Sequence, residues 1–384
     1  MNGEDDRIIV CRATRKYLRY ILLWPCLSEE LNPGKYYIAQ TGIYFLVTFI
    51  AFLSILIHLA ITISKNLEVP VMEDVSVLAS IIGIYYMTVI YLKNQQKLAN
   101  LLKEMSNFKN FGKPTNFDQK EEKFNLLSKA VFIYLLVSLT QYAALKFNQR
   151  GECEERNKIK GLNESCGYIV QLWTPFSTQN VVVYYSLYAY TFLAMQLLMK
   201  PNMLLTYNAF EITEHLILKI KHLNQMFYEC FDNPDYEISG RRLSKCILYH
   251  IHIINLAKTL NECFSNGMLT HITITAIICA CIGKQFTEGD HLCAILHFSG
   301  WISSLVFACF SGQQLINASE SIPSAIWFSN WHEADIRLQR DVLFVLAKSQ
   351  ETFYLTAGPF NVLCFSLLVS VVKMSYSMLC LLTK

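Results

Sequence analysis

The chain has 384 residues, of which 53% are hydrophobic, 13% aromatic and only 16% charged. That balance is too apolar for a soluble domain of this length and makes lipid the solvent for much of the chain. A net charge of +3, with 15 Gly and 9 Pro scattered through the sequence, argues against a nucleic-acid surface and against a low-complexity binding arm.

The opening stretch, "MNGEDDRIIVCRATRKYLRY", is charged throughout. It lacks the apolar core and small-residue cleavage site of a signal peptide, so the N-terminus is expected to be retained. Seven apolar stretches then follow that are long enough to cross a bilayer, which takes about 20 helical residues. They are Ile38–Ile63, Val71–Leu92, Leu126–Leu145, Val181–Leu205, Met268–Ile282, Leu292–Ile316 and Phe353–Leu382. The fifth, within "NGMLTHITITAIICACIG", mixes Thr and His into a short run and reads as the apolar end of a longer helix starting near Arg241.

Orientation follows from the Lys and Arg of the connecting segments. With the N-terminus inside, the cytoplasmic segments hold 23 of them and the outer segments 8. The expectation is therefore N-terminus cytoplasmic, C-terminus extracellular. In the outer loop between spans three and four, Asn163-Glu164-Ser165 is a glycosylation sequon on the side where it could be used, although Asn317-Ala318-Ser319 fits the same pattern at a cytoplasmic helix end. The same loop carries Cys153 and Cys166 around "CEERNKIKGLNESC", a pair able to form a disulfide outside the cell. Most of the 13 Cys, among them Cys279, Cys281, Cys309, Cys364 and Cys380, sit in apolar runs and read as small buried hydrophobes.

The long inner connections have helical periodicity. From Phe210 through Ile217, Ile220, Leu223 and Phe227, apolar residues recur every three or four positions, with Glu211, Glu214, Lys219 and Lys221 between them. Ile336, Val342, Val345 and Leu346 repeat the pattern before span seven. Such stripes must be buried against one another, which predicts a cytoplasmic helical platform. The fold class is thus an all-α membrane protein of seven transmembrane helices with an anchor platform. Residues 1–205 form the N-terminal tail and spans one to four, with an extracellular loop at 146–180. Residues 206–267 form the helical extensions, 268–317 spans five and six, 318–352 a lead-in helix and 353–384 span seven.

Several chemistries are not written in the chain. No P-loop, H-E-x-x-H or G-x-S-x-G pattern is present, and "HIHI" (His250, His252) has no Cys or carboxylate at ligand spacing. No enzyme, cofactor or metal centre is expected. G-protein-coupled receptors place their N-terminus outside and carry an acidic-Arg-aromatic triplet in span three and Asn-Pro-x-x-Tyr in span seven. Neither motif is here, so no G protein is expected as a partner. The spans hold almost no charge and no visible internal repeat, unlike an ion-coupled transporter.

The C-terminal third resembles the insect odorant receptor family. The resemblance runs through "FSGQQLINASESIPSAIWFSNWHEADIRLQRDVLFVLAKSQETFYLTAGPFNVLCFSLLVSVVKMSYSMLCLL". Its elements are Gly312, Trp331, the Lys348-Ser349 pair, "TAGPF" (Thr356 to Phe360) and the ending Lys373 to Ser377. The first 250 residues match only in span number, spacing and inverted topology. The resemblance implies an odorant-gated, non-selective cation channel of four subunits, in which a tuning subunit assembles with the coreceptor Orco in the plasma membrane of an olfactory neuron's dendrite. The interval from Leu205 to Met268 is too short for the insertion of Orco-like chains, so this chain looks like a tuning subunit.

In the family the last span lines the pore. Matching "SYSMLCLLTK" to the coreceptor-type ending puts the outer constriction at Leu379 and Thr383, although Thr383 departs from the apolar pattern. The same helix face includes Val372, Ser375 and Tyr376, a Ser/Tyr band below an apolar ring, as expected of a conduit closed by dewetting. The chain's final turns are expected to arrive at the outer surface. A small volatile ligand needs an apolar, aromatic cavity in the outer half of the bundle. The candidates are Tyr184, Tyr185 and Tyr188 of span four, Gln141 and Tyr142 of span three, Val77 and Ile81 of span two, and Phe298 and Trp301 of span six. Two other readings remain open at this stage: a homomeric gustatory-type channel that conducts without Orco, and a secondary transporter of small apolar molecules.

Overall fold

The computed structural model describes residues 8–26, 31, 33–64, 71–161, 164–178, 180–233, 235–289 and 291–383. Among them the helices are α1 (Arg12–Tyr20), α2 (Lys35–Ser64), α3 (Met72–Lys93), α4 (Gln95–Ser106), α5 (Phe117–Asn148), α6 (Arg150–Lys160), α7 (Val181–Tyr228), α8 (Tyr236–Thr287), α9 (His291–Trp327), α10 (Ile336–Ser349) and α11 (Phe365–Leu382). Seven of these, α2, α3, α5, α7, α8, α9 and α11, are long and apolar enough to cross a membrane. Side-chain caps start several of them. Asn180 Oδ1 accepts from Val182 N, Asp235 Oδ1 from Glu237 N and Ile238 N, and Asp335 Oδ1 from Arg337 N.

Length sets the architecture. At 1.5 Å per residue, the 48 residues of α7 and the 52 of α8 reach about 72 and 78 Å, against a hydrocarbon core of about 30 Å. Both therefore project well beyond any bilayer at one end. There they meet α1, α4, the end of α9 and α10 in the main core, which includes Tyr207, Leu223, Phe227, Tyr249, Leu260, Ile322 and Val342. We call this the platform end, and the opposite one the loop end. The helix expected to begin near Arg241 begins at Tyr236, under the Asp235 cap.

One detail of the platform differs from an amphipathic pattern. Glu211 and Lys219, which interrupt the apolar stripe of α7, are as buried as the stripe itself. The reason is position: α7 packs against α8 and α9 and is also covered by α1 and α5, so little of it meets solvent. Lys219 places its ammonium 5.0 Å from the centre of the Phe108 ring.

The seventh span also differs. The apolar run expected to be helical from Phe353 becomes helical only at Phe365. Between them Thr356–Ala357 (β1) and Asn361–Val362 (β2) form a two-stranded antiparallel hairpin, with Thr356 opposite Val362. Gly358 at φ 63° makes the turn, and Pro359 bars the residue before it from helical geometry. The hairpin is fastened to α8: Thr356 N donates to Asn261 Oδ1 at 2.7 Å and Gly358 N to the Ser265 carbonyl at 3.0 Å. It is fastened to α9 through Gly312, where a Cβ would lie 2.2 Å from the Leu363 carbonyl oxygen.

That contact yields a test. Gly312→Ala should force the hairpin away from α9 and lower stability by about 1–3 kcal/mol, read as a fall in the melting temperature of the detergent-solubilised protein. Gly42→Ala, where a Cβ meets no atom within 4 Å, should not lower it.

Candidate functional site

A partly open pocket lies between α3, α5, α7 and α9 toward the loop end. Its volume is about 90 Å³, against the roughly 10–15 Å³ that a single water needs on this measure. The wall is mostly apolar: Val77 and Ile84 from α3, Leu135 and Leu139 from α5, and Leu296 and Trp301 from α9. From α7 come Met195, Met199 and Met203, which share one helix face at successive i, i+4 positions. Methionine's flexible, polarisable side chain suits a surface that must fit more than one shape.

The roof is the segment from Cys166 to Trp173, in which Tyr168, Ile169, Val170 and Leu172 are all buried, and Ile169 and Val170 face the cavity. It is tied at both ends. Cys153 and Cys166 are joined by a disulfide that anchors it to α6, with Cα atoms 5.6 Å apart. At the other end Trp173 N donates to the Ser54 carbonyl at 3.2 Å and Ser54 Oγ to the Trp173 carbonyl at 2.5 Å, which pins the segment to α2.

Three of the candidates expected from sequence, Val77, Tyr142 and Trp301, line this cavity. Trp301 is further held by stacking on His271 of α8, with ring centres 5.6 Å apart. Ile81 is buried within the apolar packing around the cavity, behind the lining. Tyr184 and Tyr188 are structural ties. The Tyr184 hydroxyl donates to the Cys166 carbonyl at 3.4 Å, and the Arg150 guanidinium lies 4.3 Å from its ring centre; the Tyr188 hydroxyl donates to the Ala143 carbonyl at 3.3 Å. Gln141, Tyr185 and Phe298 are exposed on the bundle's outer surface and do not join the others.

Four polar lining residues were missed by sequence reasoning. Tyr134 and Ser138 come from α5, Asn202 from α7 and His297 from α9. The Tyr134 hydroxyl is paired with Ser299 Oγ at 2.7 Å, and His297 Nε2 lies 3.3 Å from Ser80 Oγ. Asn202 Oδ1 is buried and has no hydrogen-bond partner. It is therefore a buried acceptor without a donor, carried by a residue that lines the cavity. Tyr142 offers no such handle, because its hydroxyl donates to Glu73 Oε1 at 2.6 Å, while Glu73 Oε2 holds Lys146 Nζ at 2.7 Å. Asn202 follows Pro201 in mid-helix, and the Met195/Met199/Met203 stripe was visible as spacing; these were the signals available in sequence.

On α11, Val372, Tyr376 and Thr383 point away from the rest of the chain, and Tyr376 is 68% exposed. Ser375 is buried and donates to the Val371 carbonyl at 2.9 Å. Leu379 is half-buried and packs on α8, where a Cβ at Gly283 would lie 2.8 Å from it. The structure thus separates the five sequence candidates into an open stripe of three and an inward pair. Asn163 lies outside the described residues, as do Arg7, Lys65 and Lys384 of the charge comparison.

Seven helices long and apolar enough to cross a membrane, four of which wall a roofed cavity, define a multi-pass membrane protein. The model of the 7tm odorant receptor family matches residues 68–376, and the chain belongs to that family. Its similarity to odorant receptor 85c of Drosophila melanogaster is 26% identity over 175 residues, 44% of this chain and 45% of that protein. Odorant receptor 85b of the same species is 26% identical over 152 residues, 38% of this chain and 39% of that one. The alignments thus span less than half the length of these relatives. In fold the chain is similar to the olfactory receptor OR5 from Machilis hrabei, solved alone and in complex with eugenol. The eugenol complex superposes with a TM-score of 0.75 at 14% identity, covering 96% of this chain and 98% of that one.

The cavity can be tested by filling it. A Cβ at Gly300, one of its lining residues, meets no atom within 4 Å, so Gly300→Val should fold normally and take up cavity space. Binding of a small apolar ligand, followed through tryptophan fluorescence, should weaken about tenfold or more, whereas Phe298→Ala, on the outer surface, should leave it unchanged.

Proposed function

We propose that this chain is the odorant-tuning subunit of a ligand-gated, non-selective cation channel, assembled with the coreceptor Orco as a heterotetramer in the plasma membrane of an olfactory neuron's dendrite. Its N-terminus is cytoplasmic and its C-terminus extracellular. The volatile ligand enters the cavity beneath the Cys166–Trp173 roof, the last span contributes to a shared pore, and Asn163 carries a glycan on the outer side. The observation that carries the reading is the roofed apolar cavity with an unpartnered acceptor in a member of the 7tm odorant receptor family.

The chemistry of the wall narrows the ligand. Val77, Met195, Met199 and Trp301 favour a small apolar or aromatic body, and Asn202 Oδ1 favours a single hydroxyl donor. Small aromatic or terpenoid alcohols and phenols fit that description. Eugenol, found in the Machilis hrabei receptor, belongs in the first panel.

The open stripe on α11 supports the pore assignment. Only Val371 and Ser375 of this helix are buried by the chain itself, so most of its surface awaits lipid or another subunit. The lead-in segment, residues 318–352, and the extensions at 206–267 form the anchor that would hold subunits together, with residues 1–205 and 268–317 carrying spans one to six and 353–384 the pore span.

Co-expression with Orco should give odorant-evoked cation current that neither chain gives alone. No current across a broad panel, with both chains at the cell surface, would sink the proposal. In the working pair, Asn202→Leu should lower sensitivity to hydroxylated ligands about fivefold, the worth of roughly one hydrogen bond, with unitary conductance unchanged. Tyr376→Ala should alter conductance or leak and leave the rank order of ligands intact; a change of rank order alone would remove α11 from the pore.

A further inference from the structure

At the platform end, α1 brings three elements to one buried point. Cys11 immediately precedes α1, Glu121 is on α5, and Glu211 and His215 lie one turn apart on the same face of α7. Cys11 and Glu211 are fully buried, and His215 is 2% exposed. A sulfur of Cys11, a carboxylate oxygen of Glu211 and a ring nitrogen of His215 all lie within 4.8 Å of one another.

The hydrogen bonds around this point leave it incomplete. Thr14 Oγ1 donates to Glu211 Oε2 at 2.5 Å and touches Ser128 Oγ at 2.6 Å, but Glu211 Oε1 is buried with no hydrogen-bond partner. His215 Nε2 lies 3.0 Å from Glu121 Oε2, while Nδ1 is buried with no hydrogen-bond partner. Arg15, the cation of the same segment, directs Nε to the Val10 carbonyl and Nη2 to the Ile8 carbonyl. A buried carboxyl oxygen and a buried ring nitrogen, both without a hydrogen-bond partner and beside a thiol, are a set of donors suited to a cation. The backbone is also shaped around this point. Cys11 adopts φ 57°, a left-handed conformation unfavourable for a residue with a Cβ.

A thiolate, an imidazole and a carboxylate are a ligand set that zinc prefers. With Zn–S of about 2.3 Å and Zn–N of about 2.0–2.1 Å, tetrahedral donors sit roughly 3.5 Å apart, so small side-chain rotations close the observed spacing around an ion. The Glu121 carboxylate beside His215 is the outer partner that a metal-bound imidazole commonly has. We propose that Cys11, Glu211 and His215 form a zinc site of three protein ligands, with water in the fourth position, that fastens the N-terminal segment to α7. On binding, zinc displaces the Cys11 thiol proton to solvent, and the divalent ion is then balanced by thiolate and carboxylate. The proposal does not depend on the channel reading.

The full-length receptor, purified from membranes without chelator, should contain stoichiometric zinc by mass spectrometry. Cys11→Ser and His215→Gln should each lose it, and Cys246→Ser, elsewhere in the platform, should keep it. Because either site variant could fail to fold, a second measurement uses the wild-type chain, in which cobalt exchanged for zinc should give a thiolate-to-metal charge-transfer band. A folded wild-type protein that takes up neither zinc nor cobalt overturns the proposal, which would make the cluster a proton-sharing Cys–Glu pair. Retention of zinc by folded Cys11→Ser and His215→Gln overturns it equally.

Discussion

The rest of the structure depends on two helices that are too long for the membrane. Of the roughly 72 and 78 Å of α7 and α8, a bilayer's hydrocarbon covers less than half. Their projecting parts meet water, where apolar burial drives packing; within lipid, helices gain nothing from that effect and rely on close fit and hydrogen bonds. The main core accordingly gathers where the extensions of α7, α8 and α9 meet α1, α4 and α10. Cohesion placed outside the membrane leaves the spanning region free to be less densely filled. The loop end has a cavity, and both α2 and α11 leave most of their surface uncovered.

The cavity and the last helix are joined by short chains of contact. Trp301 lines the cavity on α9 and stacks on His271 of α8. Twelve residues beyond His271 on the same helix, Gly283 receives Leu379 of α11. Eleven residues beyond Trp301 on α9, Gly312 receives the carbonyl of Leu363, just before α11 begins. At both ends of these chains the contact is side chain or carbonyl on a glycine, where no side chain intervenes to absorb a shift. The two helices that meet at Trp301 and His271 thus both reach α11, α9 just before its start and α8 near its end.

The number of helices able to span a membrane and the helical platform were legible in sequence because each depends on periodicity and length, which are local. The hairpin before α11 was also locally encoded, by Gly358-Pro359, but was hidden within an apolar run that reads as membrane by composition. Glu211 and Lys219 looked like the polar edge of an amphipathic helix, since nothing in a single helix tells that α1 and α5 will cover its second face. The roof was similarly hidden. "GYIVQL" is too short to be a span, and its burial depends on Ser54 and on the Cys153–Cys166 bridge, partners far away in sequence or across a loop.

Of the tyrosines chosen from sequence, Tyr142 lines the cavity, and Tyr142, Tyr184 and Tyr188 all spend their hydroxyls on protein partners. In an apolar interior a hydroxyl left without a partner is costly, and several tyrosines here satisfy themselves on a nearby carbonyl or carboxylate. Tyr142 does so on Glu73, Tyr184 on Cys166, Tyr188 on Ala143 and Tyr190 on the Val47 carbonyl. Each becomes a tie between segments, and its polarity is spent. Asn202 has a shorter side chain, set beside Pro201 in the middle of α7, and the surrounding Met195, Met199 and Met203 give its oxygen nothing to accept from. Among the polar groups that line the cavity, Asn202 Oδ1 is thus one that the fold leaves unsatisfied, and it is found by following where the hydrogen bonds end.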